Sequence, residues 1–145
     1  MRIYGTWGPF EAPYVRTVLN CPLFHVQSPI IFLIDSGASR TTILDSDAVR
    51  MRLDYSKLRR FEQGTTGIGG IVDTFILPDV TLTFRTSDSL YEERFKEIFV
   101  LKHGIQDDKT LERVRKLPSL LGRDIINKYE LVLNRREEIV LLSDE

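Results

Sequence analysis

Short runs of β-branched, aromatic and aliphatic residues recur along the chain, separated by glycine, proline and polar clusters. In several of these runs apolar and polar positions alternate, which is the pattern of a strand with one buried face. Glycine and proline fall between the runs, where turns are expected. The pattern predicts β-strands over residues 14–19, 71–77, 80–84 and 95–101, with Pro78-Asp79 between the second and the third.

The most apolar run of the chain extends from Ile30 to Ile34. Because its hydrophobic residues follow one another without a polar interruption, it predicts a strand buried on both faces. A turn is predicted just before it, at Gln27-Ser28-Pro29, and Asn20-Cys21-Pro22 is expected to break or bulge the preceding strand. The run stops abruptly at Asp35, the first residue of an Asp-Ser-Gly-Ala-Ser segment.

The helical signals are short. Asp45 or Ser46 can cap a helix that reaches Met51, and Asp107-Asp108 can cap a second one. That second helix carries a narrow apolar stripe, Leu111, Val114 and Leu117. One or two helical turns over residues 124–128 precede a terminal hairpin formed by residues 129–134 and 138–142. We therefore expect an all-β fold class, mainly β with two or three short helices, in a single domain over residues 1–145.

Composition excludes several classes of protein. Of the 145 residues, 42% are hydrophobic and 28% are charged, which are the values of a globular chain and not of a disordered one. Lys and Arg total 20 against 21 for Asp and Glu, so no basic excess indicates nucleic-acid binding. One cysteine and two histidines leave no basis for a disulfide framework or a zinc site. No apolar run is long enough for a membrane span, and a cytoplasmic protein is expected.

Asp35 is the most informative single residue. A carboxylate at the end of the most apolar strand is costly to ionise if the environment has a low dielectric constant. Such an acid is tolerated when it caps a turn or takes part in chemistry. Asp, Ser and Gly are all common turn residues, so Asp-Ser-Gly alone predicts only a turn.

Three motifs in sequence order change that interpretation. The apolar strand followed by Asp35-Ser36-Gly37-Ala38 resembles the active-site strand of aspartic proteases. The glycine-rich segment 64–70 resembles the flap hairpin of retroviral proteases, and Leu120-Leu121-Gly122-Arg123-Asp124 resembles their second signature. The chain is thus similar to the retropepsin-like aspartic protease family from about Tyr14 to its end. The resemblance implies a closed β-barrel-like acid protease fold, equivalent to one half of a pepsin-like enzyme.

The resemblance also implies a function. Aspartic proteases activate water between two carboxylates that share one proton. This chain has the Asp-Ser-Gly sequence once, so the resemblance implies a homodimer in which Asp35 meets its twofold mate. The predicted enzyme is an aspartic endopeptidase that takes extended peptides or unfolded protein, with no cofactor, no metal, no nucleic acid and no membrane partner.

Supporting roles follow from the same resemblance. Ser36 is expected to hydrogen-bond across the dimer axis, Gly37 to permit close backbone approach, and Ala38 to keep the cleft floor small. The second signature, Leu121, Gly122, Arg123 and Asp124, is expected to shape the turn beside the catalytic strand. The residues expected to fold over an extended substrate are Gly67, Ile68, Gly69 and Gly70.

The chain departs from the family pattern at several places. Retroviral enzymes have an acid four positions after the catalytic Asp, where this chain has Ser39. Arg123 is therefore expected to pair with Asp124 or a surface acid. Arg40 is expected either to favour acidic substrate side chains or to point into water, and the second alternative is preferred. In retroviral enzymes both chain ends build the dimer interface, whereas here the ends are longer. The segment through Phe10 has no counterpart that we can assign, and residues 107–117 resemble an insertion.

Two other hypotheses are compatible with the sequence. The first is a catalytically silent dimeric module on the same fold that binds peptides or a partner protein. The second is an unrelated small β-barrel interaction domain in which Asp35-Ser36-Gly37 is only a turn. It predicts a stable monomer that tolerates replacement of Asp35.

Overall fold

A computed structural model describes residues 1–67, 70–105 and 107–145, with the backbone alone for residues 62–67, 70 and 71. The strands are β1 Arg2–Tyr4, β2 Thr6–Trp7, β3 Pro13–Cys21, β4 Val26–Ile34, β5 Thr42–Ile43, β6 Arg59–Gly67, β7 Gly70–Arg85, β8 Leu90–His103, β9 Ser119–Leu121, β10 Glu130–Asn134 and β11 Ile139–Ser143. The helices are α1 Asp45–Arg50, α2 Asp108–Arg115 and α3 Arg123–Ile126, and short 3-10 turns lie at Pro9–Glu11, Pro22–Phe24 and Tyr55–Lys57.

The strands form two sheets. The larger has the order β2-β3-β4-β9-β5-β8-β7-β6, and an additional pairing of β3 with β7 closes it into a barrel. Most of its neighbours are antiparallel, but β4 pairs in parallel with β9, and β5 in parallel with β8. The closed barrel surrounds a core rich in Leu, Ile, Val and Phe. The predicted all-β class and closed barrel are confirmed.

Strand β4 alternates between the core and the surface along its whole length. Ile30 and Phe32 are at most 1% exposed, whereas Ile31 is 50% exposed. The prediction of a strand buried on both faces was therefore wrong. The run is apolar because both faces of the strand carry hydrophobic side chains. One face lines the barrel core, and the other directs its side chains outward.

Two predicted interruptions are also absent. β3 pairs with β4 residue by residue from Tyr14↔Leu33 to Cys21↔Val26, so the strand continues through Gln27–Pro29, where a turn was expected. The proposed break at residues 20–22 moves to a 3-10 turn after Cys21. Likewise β7 continues past Pro78-Asp79 because β8 pairs with it on both sides. In each case a long neighbouring strand stabilises an extended backbone that local propensity disfavours.

The two longer helices begin close to where the sequence predicted. The Asp107 side chain caps α2 by accepting a hydrogen bond from the Thr110 amide at 2.7 Å, as expected. In α1, by contrast, Asp45 binds the end of β8. Its carboxylate accepts from the His103 amide at 2.8 Å and lies 2.6 Å from the His103 Nδ1 atom. No helix in the described part of the chain is long and apolar enough to cross a membrane.

The chain ends meet in the smaller sheet, whose order is β1-β11-β10. Strand β1 pairs antiparallel with β11, from Arg2↔Ser143 to Tyr4↔Leu141. The N-terminal amino group also contacts the Asp144 carboxylate at 2.6 Å. The two terminal segments thus pair with each other within one chain. The N-terminal one had no assignment from the sequence.

Candidate active site

Asp35 lies where β4 leaves the barrel. Its amide donates to the Leu121 carbonyl at 3.0 Å, so the parallel ladder between β4 and β9 continues one residue beyond the strand. Ile34 and Leu121, the last paired residues, are 6% and 0% exposed. Two buried strands therefore fix the backbone of Asp35, while its own side chain is only half-buried.

The residues after Asp35 form a tight turn that orients its carboxylate. The Gly37 amide donates to the Asp35 Oδ1 atom at 2.9 Å, and the Ala38 amide donates to the Asp35 carbonyl at 3.1 Å. Ser36 and Gly37 are exposed, and Ala38 is half-buried. The turn that the sequence predicted therefore presents one oriented carboxylate beside an exposed loop.

The second signature packs against the far end of this loop. A Cβ atom at Gly122 would lie 2.4 Å from the Arg40 carbonyl carbon, so only glycine fits without displacing backbone. The Gly122 amide donates to the Thr41 hydroxyl oxygen at 3.1 Å. That hydroxyl in turn donates to the Asp124 Oδ1 atom at 2.7 Å, and the Thr41 amide donates to Asp124 Oδ2 at 2.9 Å. Thr41 thus joins the loop that follows Asp35 to the start of α3.

Arg123 supports the loop from the other side. Its amide donates to the Ala38 carbonyl at 2.8 Å, and its guanidinium Nη1 atom donates to the Ser36 carbonyl at 2.9 Å. The expected pairing with Asp124 or a surface acid was wrong. With no acid at position 39, the guanidinium binds a backbone carbonyl, and the Asp124 carboxylate is used by Thr41.

Arg40 is exposed, as predicted, but it is not simply directed into water. Its guanidinium carbon lies 4.8 Å from the centre of the Phe99 ring, which is cation–π geometry. The contact holds the side chain against β8.

The hairpin of β6 and β7 contains the glycine-rich segment. Its register runs from Arg59↔Ile76 to Gly67↔Gly70, with an irregularity between Phe61 and Thr65. The backbone of Gly67 and Gly70 is therefore paired at the end of a long hairpin. Ile68 and Gly69, the other two residues predicted in the flap, lie outside the described residues.

The structure brings most of the predicted site together. Asp35, Ser36, Ala38 and Arg123 are joined by backbone and side-chain hydrogen bonds. The role of Thr41 was not predicted from the sequence. Thr41 begins an ordinary extended segment, and nothing in that pattern marks it as a hydrogen-bonding residue of the site. Within the described ranges no three His, Cys, Asp or Glu side chains lie close enough together to hold a metal ion.

Comparison with solved structures identifies a retropepsin-like aspartic protease from Rickettsia conorii. It has a TM-score of 0.58 at 17% sequence identity, over 98% of this chain and 90% of that chain. The EIAV protease, solved with the inhibitor HBY-793, has a TM-score of 0.49 at 21% identity, over 88% of this chain and 99% of its own. No family model and no curated protein matches the sequence. The closed barrel and the likeness to the Rickettsia structure along nearly the whole chain show that this protein has the retropepsin-like fold.

Proposed function

We propose that the protein is an aspartic endopeptidase that acts as a homodimer, with one Asp35 carboxylate from each chain. The observation that carries the proposal is the placement of Asp35. Its backbone is fixed by the ladder with β9, and its carboxylate is oriented by the Gly37 amide at 2.9 Å beside an exposed loop. A carboxylate placed on a rigid strand end and open to solvent on one side suits general acid–base work.

The second carboxylate has to come from another chain. Among the described residues, Asp124 is a second acid in the hydrogen-bond network of the site. Both of its oxygens already accept hydrogen bonds from Thr41, and Oδ1 also accepts from the Ile125 amide at 2.9 Å. The Asp124 carboxylate is therefore already used in hydrogen bonds that hold the loop. A twofold axis near the exposed residues Ser36 and Gly37 would instead bring two copies of Asp35 together.

The proposed reaction needs no covalent intermediate. Two carboxylates about 3 Å apart share one proton, because both cannot be ionised at that distance. The ionised one takes a proton from water, whose oxygen attacks the peptide carbonyl carbon. The protonated one donates to the carbonyl oxygen, which gives a tetrahedral diol. The C–N bond then breaks as the carboxyl that took the water proton passes it to the leaving nitrogen, and the other carboxylate regains its proton from the diol. The products are a carboxylic acid and an amine.

The supporting residues have proposed roles as well. Ser36 would hydrogen-bond across the dimer axis, and Gly37 and Ala38 would leave room for substrate. The glycine-rich segment from Gly67 to Gly70 would cover an extended peptide bound by strand-like hydrogen bonds. The substrate is a peptide or an unfolded protein segment, and the proposed location is the cytoplasm.

The test compares the wild type with Asp35→Asn on a mixed peptide library, analysed by mass spectrometry from acid to neutral pH. We expect cleavage by the wild type with a bell-shaped pH dependence, and loss of at least about 10³-fold in kcat/KM for the variant. Asp88→Asn is the matched control, because Asp88 also precedes a serine but lies outside the site. It should cleave like the wild type.

Equal cleavage by wild type and Asp35→Asn would contradict the proposal. A dimer that binds peptides and cleaves none would favour the silent peptide-binding module. A monomer without cleavage would leave Asp35 as a turn residue. Light scattering on each protein distinguishes the last two results.

A further inference from the structure

The outward face of the β3–β4 pair forms the floor of a groove. Tyr14 pairs with Leu33 and Arg16 with Ile31, so these four side chains lie on the same face of the sheet. Their neighbours along each strand, such as Val15 and Phe32, are buried in the barrel. This outward face therefore carries those side chains of the run Ile30–Ile34 that point away from the core.

Two segments form the walls of the groove. One is the N-terminal segment at Gly8 and Pro9, and the other is the end of α2 with the residues that follow it. A Cβ atom at Gly8 would lie 2.6 Å from the Tyr14 ring, so a larger residue there would displace the ring or the wall. The open space between the walls measures about 560 Å³. We call it the basic groove; its principal lining residues are Arg16, Ile31, Arg50, Arg115, Lys116 and Pro118.

The groove is strongly positive. It contains four cationic side chains and one acidic side chain, Asp47. Arg50 is bound on three sides, to Asp47 Oδ1, Ser28 Oγ and the Pro29 carbonyl, each at 2.7 Å. Asp47 therefore neutralises Arg50, and the second oxygen of Asp47 accepts from Ser119 Oγ at 2.6 Å. Positive charge from the other three cations remains.

Those three cations are exposed and weakly paired. Lys116 lies 4.0 Å from Glu112 with both side chains more than 70% exposed, which is a weak interaction. Arg16 and Arg115 make no ion pair with any other residue in the described ranges. Three exposed cations on and beside a partly apolar floor, paired within the described residues only by the weak Lys116–Glu112 contact, are complementary to an anionic group attached to a peptide.

The basic groove lies on the same face of the sheet as the candidate catalytic carboxylate. Ile31, Leu33 and Asp35 are spaced by two residues, and the ladder with β9 keeps the backbone extended up to Asp35. Alternation therefore directs all three side chains to one face. Four residues of strand span about 13 Å, which is also the length of about four residues of an extended peptide.

We propose that the basic groove is a substrate subsite that selects an acidic side chain about four residues from the scissile bond. This inference rests on the proposed endopeptidase function. Arg16, Arg115 and Lys116 are the specificity-determining residues, and Arg50 is held by Asp47 as part of the wall. In a twofold dimer each arm of the substrate meets one groove, so acids are selected on both sides of the scissile bond.

The test uses matched peptides that differ only in having Glu, Gln or Lys three to five residues from a site cleaved by the wild type. We expect kcat/KM to be highest for the Glu peptide, lower for the Gln peptide and lowest for the Lys peptide. The preference for Glu over Gln should be about 3–10-fold. Raising the salt concentration should weaken the preference, because these charges are solvent-exposed. The same ratio is then measured for the triple variant Arg16→Gln, Arg115→Gln, Lys116→Gln.

The control carries three equivalent changes outside the groove, Lys109→Gln, Arg113→Gln and Arg136→Gln. It alters net charge equally and should keep the wild-type preference. The groove variant should lose it. Equal kcat/KM for Glu and Gln peptides in the wild type would overturn the inference, as would a preference that persists in the groove variant.

A binding measurement separates this inference from the proposed catalysis. Fluorescently labelled Glu and Gln peptides are titrated with Asp35→Asn protein, with and without the groove substitutions, and followed by anisotropy. Tighter binding of the Glu peptide that disappears in the groove variant supports the basic groove even if the wild type cleaves nothing. Equal binding of both peptides would contradict it, whether or not the protein is a protease.

Discussion

At the scale of single residues, Thr41 organises the candidate site. It is 1% exposed, and its hydroxyl both accepts from the Gly122 amide and donates to Asp124. A buried amide that loses its acceptor pays the full cost of desolvation. Thr41 therefore stabilises the contact between the loop of Asp35 and the turn at Gly122 without taking part in chemistry.

Replacing Thr41 by Val should lower the free energy of unfolding by about 1–3 kcal/mol, because the isosteric side chain leaves the Gly122 amide without its acceptor. Denaturant titration measures the difference. Thr41→Ser keeps the hydroxyl and serves as the control; it should lose less stability than Thr41→Val. Equal losses for the two variants would show that the methyl group, and not the hydroxyl, carries the effect.

At the scale of elements, β8 is joined to the segment after α3 by a buried carboxylate. Glu93 is 5% exposed. It accepts from the Tyr129 hydroxyl at 2.6 Å, from the Lys128 ammonium at 2.9 Å and from the Tyr91 hydroxyl at 3.2 Å. Burial raises the pKa of Glu93, but the hydrogen bonds from Tyr129, Lys128 and Tyr91 together outweigh it and leave the pKa below its usual value.

Glu93→Gln should lower the free energy of unfolding at pH 7 by about 1–3 kcal/mol. A carboxyl whose folded pKa is lowered contributes its full stability above the unfolded pKa, about 4.3, and loses it as pH falls through the folded value. The stability of the wild type should therefore approach that of the variant as pH falls from about 6 to below the folded pKa. Urea titrations at a series of pH values measure both.

The matched control for this pair is Glu92→Gln, which changes an exposed carboxyl on the adjacent position of β8. It should stay within about 0.5 kcal/mol of the wild type at each pH. A difference in the free energy of unfolding between the wild type and Glu93→Gln that stays constant at all pH values would mean that the ionised state of Glu93 contributes nothing to stability.

At the scale of the whole molecule, the two ends of the chain pair with each other in one sheet. Strand β1 lies against β11, and β11 lies against β10, so one chain completes this sheet alone. If the protein is a dimer, the surface around Ser36 and Gly37 is where the proposed site needs the second chain. The catalytic unit, unlike the barrel, is then a property of two chains.

Mixing wild type with Asp35→Asn at constant total concentration tests that arrangement. If two Asp35 carboxylates are required and subunits exchange at random, activity follows the square of the wild-type fraction. An equal mixture should retain about one quarter of the wild-type activity. About one half would show that each chain works alone. Asp88→Asn in place of Asp35→Asn should leave the activity of the mixture unchanged.

Local signals in the sequence were sufficient for much of the fold. The cap at Asp107 and the terminal hairpin were both predicted, because each depends on residues close together in the chain. Long-range pairing decided the rest. The extended backbone through Gln27–Pro29 and through Pro78-Asp79 follows from the neighbouring strands, which no local pattern reveals.

The sequence by itself determined the chemistry available at the site: one Asp-Ser-Gly segment at the end of an apolar strand, followed later by Gly122 and Arg123. Only the tertiary structure decided the partners of those residues. It assigned Arg123 to the Ser36 carbonyl and Asp124 to Thr41, and it placed Arg16 beside the end of α2. Those contacts join residues far apart in sequence, and they depend on how the barrel closes, which is a property of the packed chain and not of any segment.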